Sequence, residues 1–213
     1  DRIKVANGLS SHHRNTPTIE NVWYLNELFH DGHAQTFAAQ ITEAIESPIE
    51  MGGDMTTLPQ KLAQQAHYPP LFKNAYGDSV ITKERILDAL TVFSKSIVSG
   101  KTDFDRFVEG DYARLTDQQI AGLDMFRTKA RCMNCHNGPM FTDLKYHNLG
   151  YSLDFRGNPD DGRFLVTGNP EDKGKFRTPG LRNVTETWPY MHNGSAATLE
   201  KMIDLLSDGM PQQ

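Results

Sequence analysis

Cysteine is nearly absent from this chain: two residues in 213, too few for a disulfide-stapled scaffold. Long hydrophobic runs are absent too. Every apolar stretch meets a charge or a glycine well before the roughly 18 residues needed to cross a bilayer, so no transmembrane span is expected. Excess positive charge is also missing. The 22 Lys and Arg stand against 27 Asp and Glu, a net charge of −5, and the basic residues are dispersed. Phosphate contacts need clustered cations, so nucleic acid is not an expected partner. The remaining composition, 38% hydrophobic and 23% charged, excludes a disordered chain and suffices for a core in one large domain or two small ones.

The chain starts at Asp1 with no initiator Met, no charged n-region and no apolar h-region, so any signal peptide is expected to have been removed. Asp208 to Gln213 reads as a turn rather than a domain end, and further residues are expected at both ends.

Helical signals dominate. Phe37, Ile41 and Ile45 form one stripe within a helix from Gln35 to Ser47, stopped by Pro48. Leu58 to Ala66 and Pro70 to Tyr76 read as short helices. Ile86, Leu90, Phe93 and Ile97 predict a core-facing helix from Thr82 to Ser99, with Thr82 as N-cap and Gly100 as stop. Thr116 and Gln119 make a capping box for a helix carrying Ile120, Leu123 and Phe126 towards Cys132. Gly138 to about Asn193 is rich in Gly, Pro, Asp and Asn, with no sustained periodicity, and is expected to be irregular with at most a short strand pair. A last helix begins near Thr198 and carries Met202, Leu205 and Leu206. No internal repeat is visible, and the expected architecture is mainly α.

The two cysteines stand together in Cys132-Met133-Asn134-Cys135-His136, the attachment pattern of a c-type haem. Thiols three positions apart on one helical turn can each add to a haem vinyl group, and the following histidine then presents its imidazole to the iron. Other readings share the spacing: a redox dithiol, which usually sits in a strand-helix context; a structural zinc site, which needs a second ligand pair; or a simple disulfide. The adjacent His136 favours haem. The sixth coordination position decides between electron carriage and an open reactive site, and Met140, Met191, Met202, Met210 and His192 are the downstream candidates.

Further motifs carry a family resemblance. Leu115-Thr116-Asp117 leads into Lys129-Ala130-Arg131 and the cysteine motif, followed by Asn137-Gly138-Pro139. Then come Phe176-Arg177-Thr178-Pro179-Gly180-Leu181-Arg182-Asn183-Val184 and Pro189-Tyr190-Met191-His192-Asn193-Gly194, while Arg14-Asn15-Thr16-Pro17-Thr18 and Pro48-Ile49-Glu50-Met51-Gly52 lie earlier. Over nearly its whole length the chain resembles the bacterial dihaem cytochrome c peroxidases and the related MauG-type enzymes. The resemblance implies a mainly α protein with two cytochrome c-like haem domains and long irregular loops. Residues 1–110 would be the remainder of the first, peroxidatic domain and residues 111–213 the second, electron-transfer domain. The first haem motif and the C-terminal end are expected to lie outside this chain, and two haem c groups are expected in the intact protein.

The same resemblance implies site residues. Cys132, Cys135 and His136 would hold the electron-entry haem. Glu50 falls at the place of the active-site glutamate, where a carboxylate can take a proton from bound peroxide and return it to the leaving oxygen; read without the family, it is a solvated residue beside a proline turn. Asn15, with carbonyl groups of Thr187 and Pro189, would hold Ca2+, whose preference is for hard oxygen ligands; read alone, Asn15 before Thr-Pro is a turn residue. His12 and His13 sit where a mobile loop carries a distal ligand of the first haem, and His13 is the candidate. Two departures stand out. His30, in His30-Asp31-Gly32-His33, replaces a tryptophan that lies between the haems, although Trp188 offers an aromatic nearby. Leu206 occupies the place of an axial Met or Tyr, which leaves Met210 or Met202 as ligand, or an open sixth site.

The first functional expectation is a periplasmic peroxidase that reduces hydrogen peroxide with electrons from a small cytochrome c or cupredoxin. A MauG-like oxidase acting on a protein partner and a non-enzymatic electron carrier are the alternatives. Haem c attachment belongs to an oxidising compartment, and relatives are often homodimers.

Overall fold

A computed structural model describes residues 14–154 and 156–210. Helices α1 (Phe37–Glu46), α2 (Leu58–Ala63), α3 (Tyr68–Tyr76), α4 (Lys83–Ser96) and α5 (Asp103–Val108) form the first half, and α6 (Asp117–Arg127) opens the second. A two-residue antiparallel pair follows, β1 (Tyr146–His147) with β2 (Phe176–Arg177), with the single turn α7 (Phe164–Thr167) between the strands and α8 (Leu199–Ser207) after them. The mainly α expectation and the irregular region with its short strand pair are both borne out.

Local chemistry explains the boundaries. Thr36, Thr82, Thr116 and Thr198 each accept a backbone N–H with their hydroxyl at the start of a helix. The capping box at Thr116 and Gln119 forms as expected. A second box, Thr102 with Asp105, starts α5, a helix too short to show periodicity in the sequence. Helix α4 stops at Ser96 rather than Ser99, because the Ile97 carbonyl is taken by the Asn21 N–H at 2.8 Å and Ser99 N–H donates to the Asn21 side chain at 2.9 Å.

The hydrophobic core lies in the first half: Ile41 and Ile45 of α1, Met55, Phe72 of α3 and Ile86 of α4. Each such side chain contributes about 1.5–3 kcal/mol on burial. The stripe expected on α4 is only partly internal, since Leu90 is 36% and Phe93 60% exposed. Beyond residue 110, Ala196 is the one buried hydrophobic among the described residues, while Ile120, Met125, Ile203 and Leu206 on α6 and α8 are exposed.

Polar groups tie the segment before α1 to the second half. Asn15 N–H donates to the His192 carbonyl at 2.6 Å and Arg177 N–H to the His30 carbonyl at 2.8 Å. Arg14 donates to both Asp31 and Asp160, and Arg163 donates to Glu27 and to the Asp31 carbonyl.

Candidate functional site

The cysteine motif sits just past α6. After Arg127 the chain turns through Arg131, which has φ 56°, into a 3-10 turn at Cys132–Asn134. Cys135 and His136 N–H groups both return to the Cys132 carbonyl, at 3.3 and 2.8 Å, which places Cys132, Cys135 and His136 on one turn. Both cysteines are free thiols, partly exposed. The His136 ring is held by its Nδ1, 2.9 Å from the Phe141 carbonyl. A carbonyl can only accept, so Nδ1 carries the proton and Nε2 keeps its lone pair for a metal. The carbonyl itself is fixed in place: Thr142 N–H donates to the Asn137 carbonyl at 2.9 Å, and the Thr142 hydroxyl donates to the Thr178 carbonyl at 2.7 Å. Arg182 braces the same loop, donating to the Pro139 carbonyl at 2.7 Å while its guanidinium grips Asp105. An axial imidazole oriented by a backbone carbonyl is the arrangement that tunes metal-bound histidines.

These residues fit a haem. The second half buries almost no aliphatic side chain of its own, and the apolar faces of α6 and α8 stand open, as expected for a domain whose core is completed by a large apolar ring. The zinc reading acquires two neighbours absent from the sequence argument: Asp143 and His147 bring their ligand atoms, with that of Cys135, within 4.8 Å of one another. Burial and the nearby Asp143 charge push the Cys135 thiol pKa up. His136 is not in this group, whereas the haem motif uses it.

Among the sixth-ligand candidates, His192 is committed elsewhere. Its Nε2 donates to the Leu153 carbonyl at 2.8 Å, its ring stacks on Phe176 at 3.8 Å, and burial lowers its pKa. Met202 and Met210 are half-buried, and Met210 Cβ lies 4.0 Å from the place of a Cβ at Gly150. Leu206 is 48% exposed on α8.

Of the residues expected at a cation site, Asn15 and Pro189 meet. Asn15 is buried, its Nδ2 donates to the Pro189 carbonyl at 2.7 Å, and its Oδ1 has no hydrogen-bond partner. An orphaned buried acceptor beside a backbone carbonyl suits a hard cation. Thr187 lies two residues from Pro189, its hydroxyl donating to the Val184 carbonyl at 3.1 Å. Glu50 occupies the turn after α1, where the N–H groups of Glu50 and Gly52 share the Ser47 carbonyl at 3.0 and 2.9 Å. Gly53 must be glycine there, because a Cβ would come 2.9 Å from the Ile45 carbonyl oxygen. Beside this turn the outer face of α1, with Ala38, Ala39, Thr42 and Glu46, lines an open hollow of about 620 Å3. His12 and His13 lie outside the described residues.

Comparison with known proteins places the chain in a family. Residues 1–113 match the family described as di-haem cytochrome c peroxidase. The chain belongs to that family. The chain is 34% identical to the cytochrome-c peroxidase IdrP1 of Pseudomonas sp. (strain SCT), over 94% of its own length and 60% of the relative's. It is 35% identical to the methylamine utilization protein MauG of Methylophilus methylotrophus, over 91% and 57%. Among solved structures it is similar to a MauG-like protein associated with microbial copper homeostasis, with a TM-score of 0.88 and 29% identity over 100% of this chain and 67% of that one. The chain thus spans about 60% of the length of the curated relatives it matches.

The His30 imidazole has a defined environment. His30 Nε2 donates to the Asn15 carbonyl at 2.9 Å, and burial lowers its pKa to about 4, so it is a neutral imidazole next to the candidate cation ligand. Trp188 is 52% exposed. Sequence reasoning missed the Phe141 carbonyl, the Arg14 contacts with Asp31 and Asp160, and the Asp143–His147 pair. The Phe141 carbonyl is a backbone acceptor, the Arg14 pairs join distant positions, and Asp143 and His147 fall in a stretch with no sustained period, so none leaves a periodic signal.

Proposed function

We propose that the protein of which this chain is part is a periplasmic dihaem peroxidase, reducing hydrogen peroxide to water with electrons from a small cytochrome c or cupredoxin. The observation that carries this reading is the His136 imidazole, its Nδ1 committed to the Phe141 carbonyl beside two free thiols on the same turn. Haem c supplies the redox and peroxide-activating chemistry when bound. Cys132 and Cys135 would attach it, and His136 Nε2 would bind its iron. Overall, peroxide gains two electrons and two protons and leaves as two waters. Glu50, in its glycine-hinged turn beside the α1 hollow, takes a proton from one peroxide oxygen and delivers it to the other, so that the departing oxygen leaves as water. Asn15 Oδ1 and the carbonyl oxygens of Thr187 and Pro189 would hold Ca2+, a hard cation that suits oxygen ligands.

The test is stopped-flow mixing of the full-length, half-reduced protein with hydrogen peroxide and a reduced donor. Many turnovers of donor oxidation are expected, and Glu50→Gln should lower turnover about 10²–10⁴-fold at unchanged haem content. Unchanged turnover in that variant excludes the proton-transfer role. A MauG-like oxidase is the second reading, favoured by Leu206, which offers no ligand atom from α8. It would give a long-lived oxidised species with little donor consumption.

A further inference from the structure

Arg177 is a half-buried cation at the wall of a cavity. Its guanidinium donates to the Glu27 backbone carbonyl, and among the described residues it makes no ion pair. Burial lowers its pKa, outweighing the raising effects of Tyr146, Tyr24 and Glu27 nearby. The neighbouring Glu27 carboxylate is spoken for: Arg163 donates to it at 3.0 Å, Tyr146 at 2.6 Å and Gln35 at 3.1 Å. Tyr146 is pushed up to about 12 by burial and by Glu27, so it stays a protonated donor.

Arg177 lines a cavity of about 310 Å3 together with Leu25, Asn26, Glu27, Gln35, Leu144 and Tyr146. The cavity shares its wall with the loop that orients His136. Leu144 N–H donates to the Thr142 hydroxyl at 3.0 Å, that hydroxyl donates to the carbonyl of Thr178, the residue after Arg177, and Phe141 accepts from His136.

A buried guanidinium costs several kcal/mol unless an anion compensates it, and its planar fork matches a carboxylate. We propose that Arg177 is the receptor of a carboxylate that enters this cavity, the carboxylate being a haem propionate. The inference rests on the haem reading for its source but not for its chemistry, because a free carboxylate would satisfy the same site.

The experiment compares the holo protein with Arg177→Gln and Arg177→Lys. The readouts are covalent haem content, midpoint potential against pH, and acetate binding by calorimetry. With a propionate on Arg177, removing the cation makes that propionate easier to protonate. The inflection in the potential–pH curve should then rise by about 1–3 pH units in Arg177→Gln and by less in Arg177→Lys, with no acetate binding. Acetate binding by the wild type that is lost in Arg177→Gln, with no shift of the inflection, would assign the site to a free carboxylate and overturn the propionate. If Arg177→Gln does not fold, Arg177→Lys alone decides by the same shift. An inflection and an acetate response that do not differ between wild type and variants would overturn the proposal outright. Absence of covalent haem on Cys132 and Cys135 in the wild type would instead overturn the haem reading and with it the propionate, leaving the acetate arm to judge Arg177.

Discussion

Arg14 and Asp160, 146 positions apart, meet side by side: Nε donates to Oδ2 and Nη2 to Oδ1, each at 2.8 Å. The third arm of the guanidinium, Nη1, reaches Asp31 Oδ2 at 2.6 Å. One arginine, immediately before Asn15, therefore joins the loop containing His30 to the long loop of the second half. The pairs are largely buried, with side-chain exposures of 18% for Arg14, 7% for Asp160 and 5% for Asp31.

Removing one partner of such a pair leaves an uncompensated charge, a loss of about 3–5 kcal/mol in buried settings. Asp160→Asn, which keeps the shape and removes the charge, is expected to lower unfolding free energy by about 3 kcal/mol in urea titrations of the holo protein. A change below about 1 kcal/mol would show that solvent already screens the pair.

The same cluster sets a pH window with two edges. Burial would raise the Asp31 carboxyl, but hydrogen bonds from His33 and Arg14 and the Arg14 charge hold it well below the usual range; Asp160 is likewise lowered by Arg14 against its burial. Their stabilisation is present above the unfolded carboxylate value of about 3.9 and is lost as pH falls through the depressed folded values. His33 has the opposite sign. Its pKa is raised chiefly by the hydrogen bond to Asp31 at 2.6 Å, then by Asp31 and Glu43 charges against its own desolvation. That stabilisation is complete below the unfolded value of about 6.5 and is lost as pH rises through the folded pKa. The melting-temperature advantage of wild type over His33→Gln should therefore be flat at pH 5–6 and vanish in alkaline buffer. An advantage that grows with pH would refute the assignment.

Helices α1, α6 and α8 were legible because hydroxyl caps and apolar stripes are local signals. The C-x-x-C-H turn was legible because its chemistry fixes its spacing. The full α4 stripe was overestimated: a periodic pattern tells which face is apolar, not what covers it, and Phe93 stands in solvent here. The orphan Asn15 Oδ1, the Phe141 carbonyl and the desolvated Arg177 could not be read, since each depends on loops brought together over more than a hundred positions or on a backbone atom that every residue possesses.

Asn15 carries a test of the cation site independent of turnover. A buried acceptor without a partner costs about 1–3 kcal/mol, and a ligated ion removes that cost. Calcium at a hundredfold excess over its dissociation constant should stabilise the holo protein by about 2.7 kcal/mol, read as a rise in melting temperature that a chelator reverses. Asn15→Leu should abolish the response. A response retained in that variant would place the ion elsewhere.

The last prediction concerns α8. Its register is continuous from the Thr198 cap, whose hydroxyl accepts from Lys201 N–H at 3.2 Å, so Ile203 and Leu206 share one exposed apolar face, at 54% and 48%. Neither side chain has an atom able to bind iron. Unless Met202 or Met210 supplies the ligand, the haem on Cys132 and Cys135 has an open sixth position and should be high-spin when ferric. Leu206→Met is close to volume-conserving and should cost less than about 1.5 kcal/mol. It is expected to convert that haem to a low-spin form with a sulfur-to-iron charge-transfer band and a higher midpoint potential, at unchanged haem content. A wild-type protein that already shows the band would point to a native methionine, and loss of the band in Met210→Leu or in Met202→Leu would identify which one.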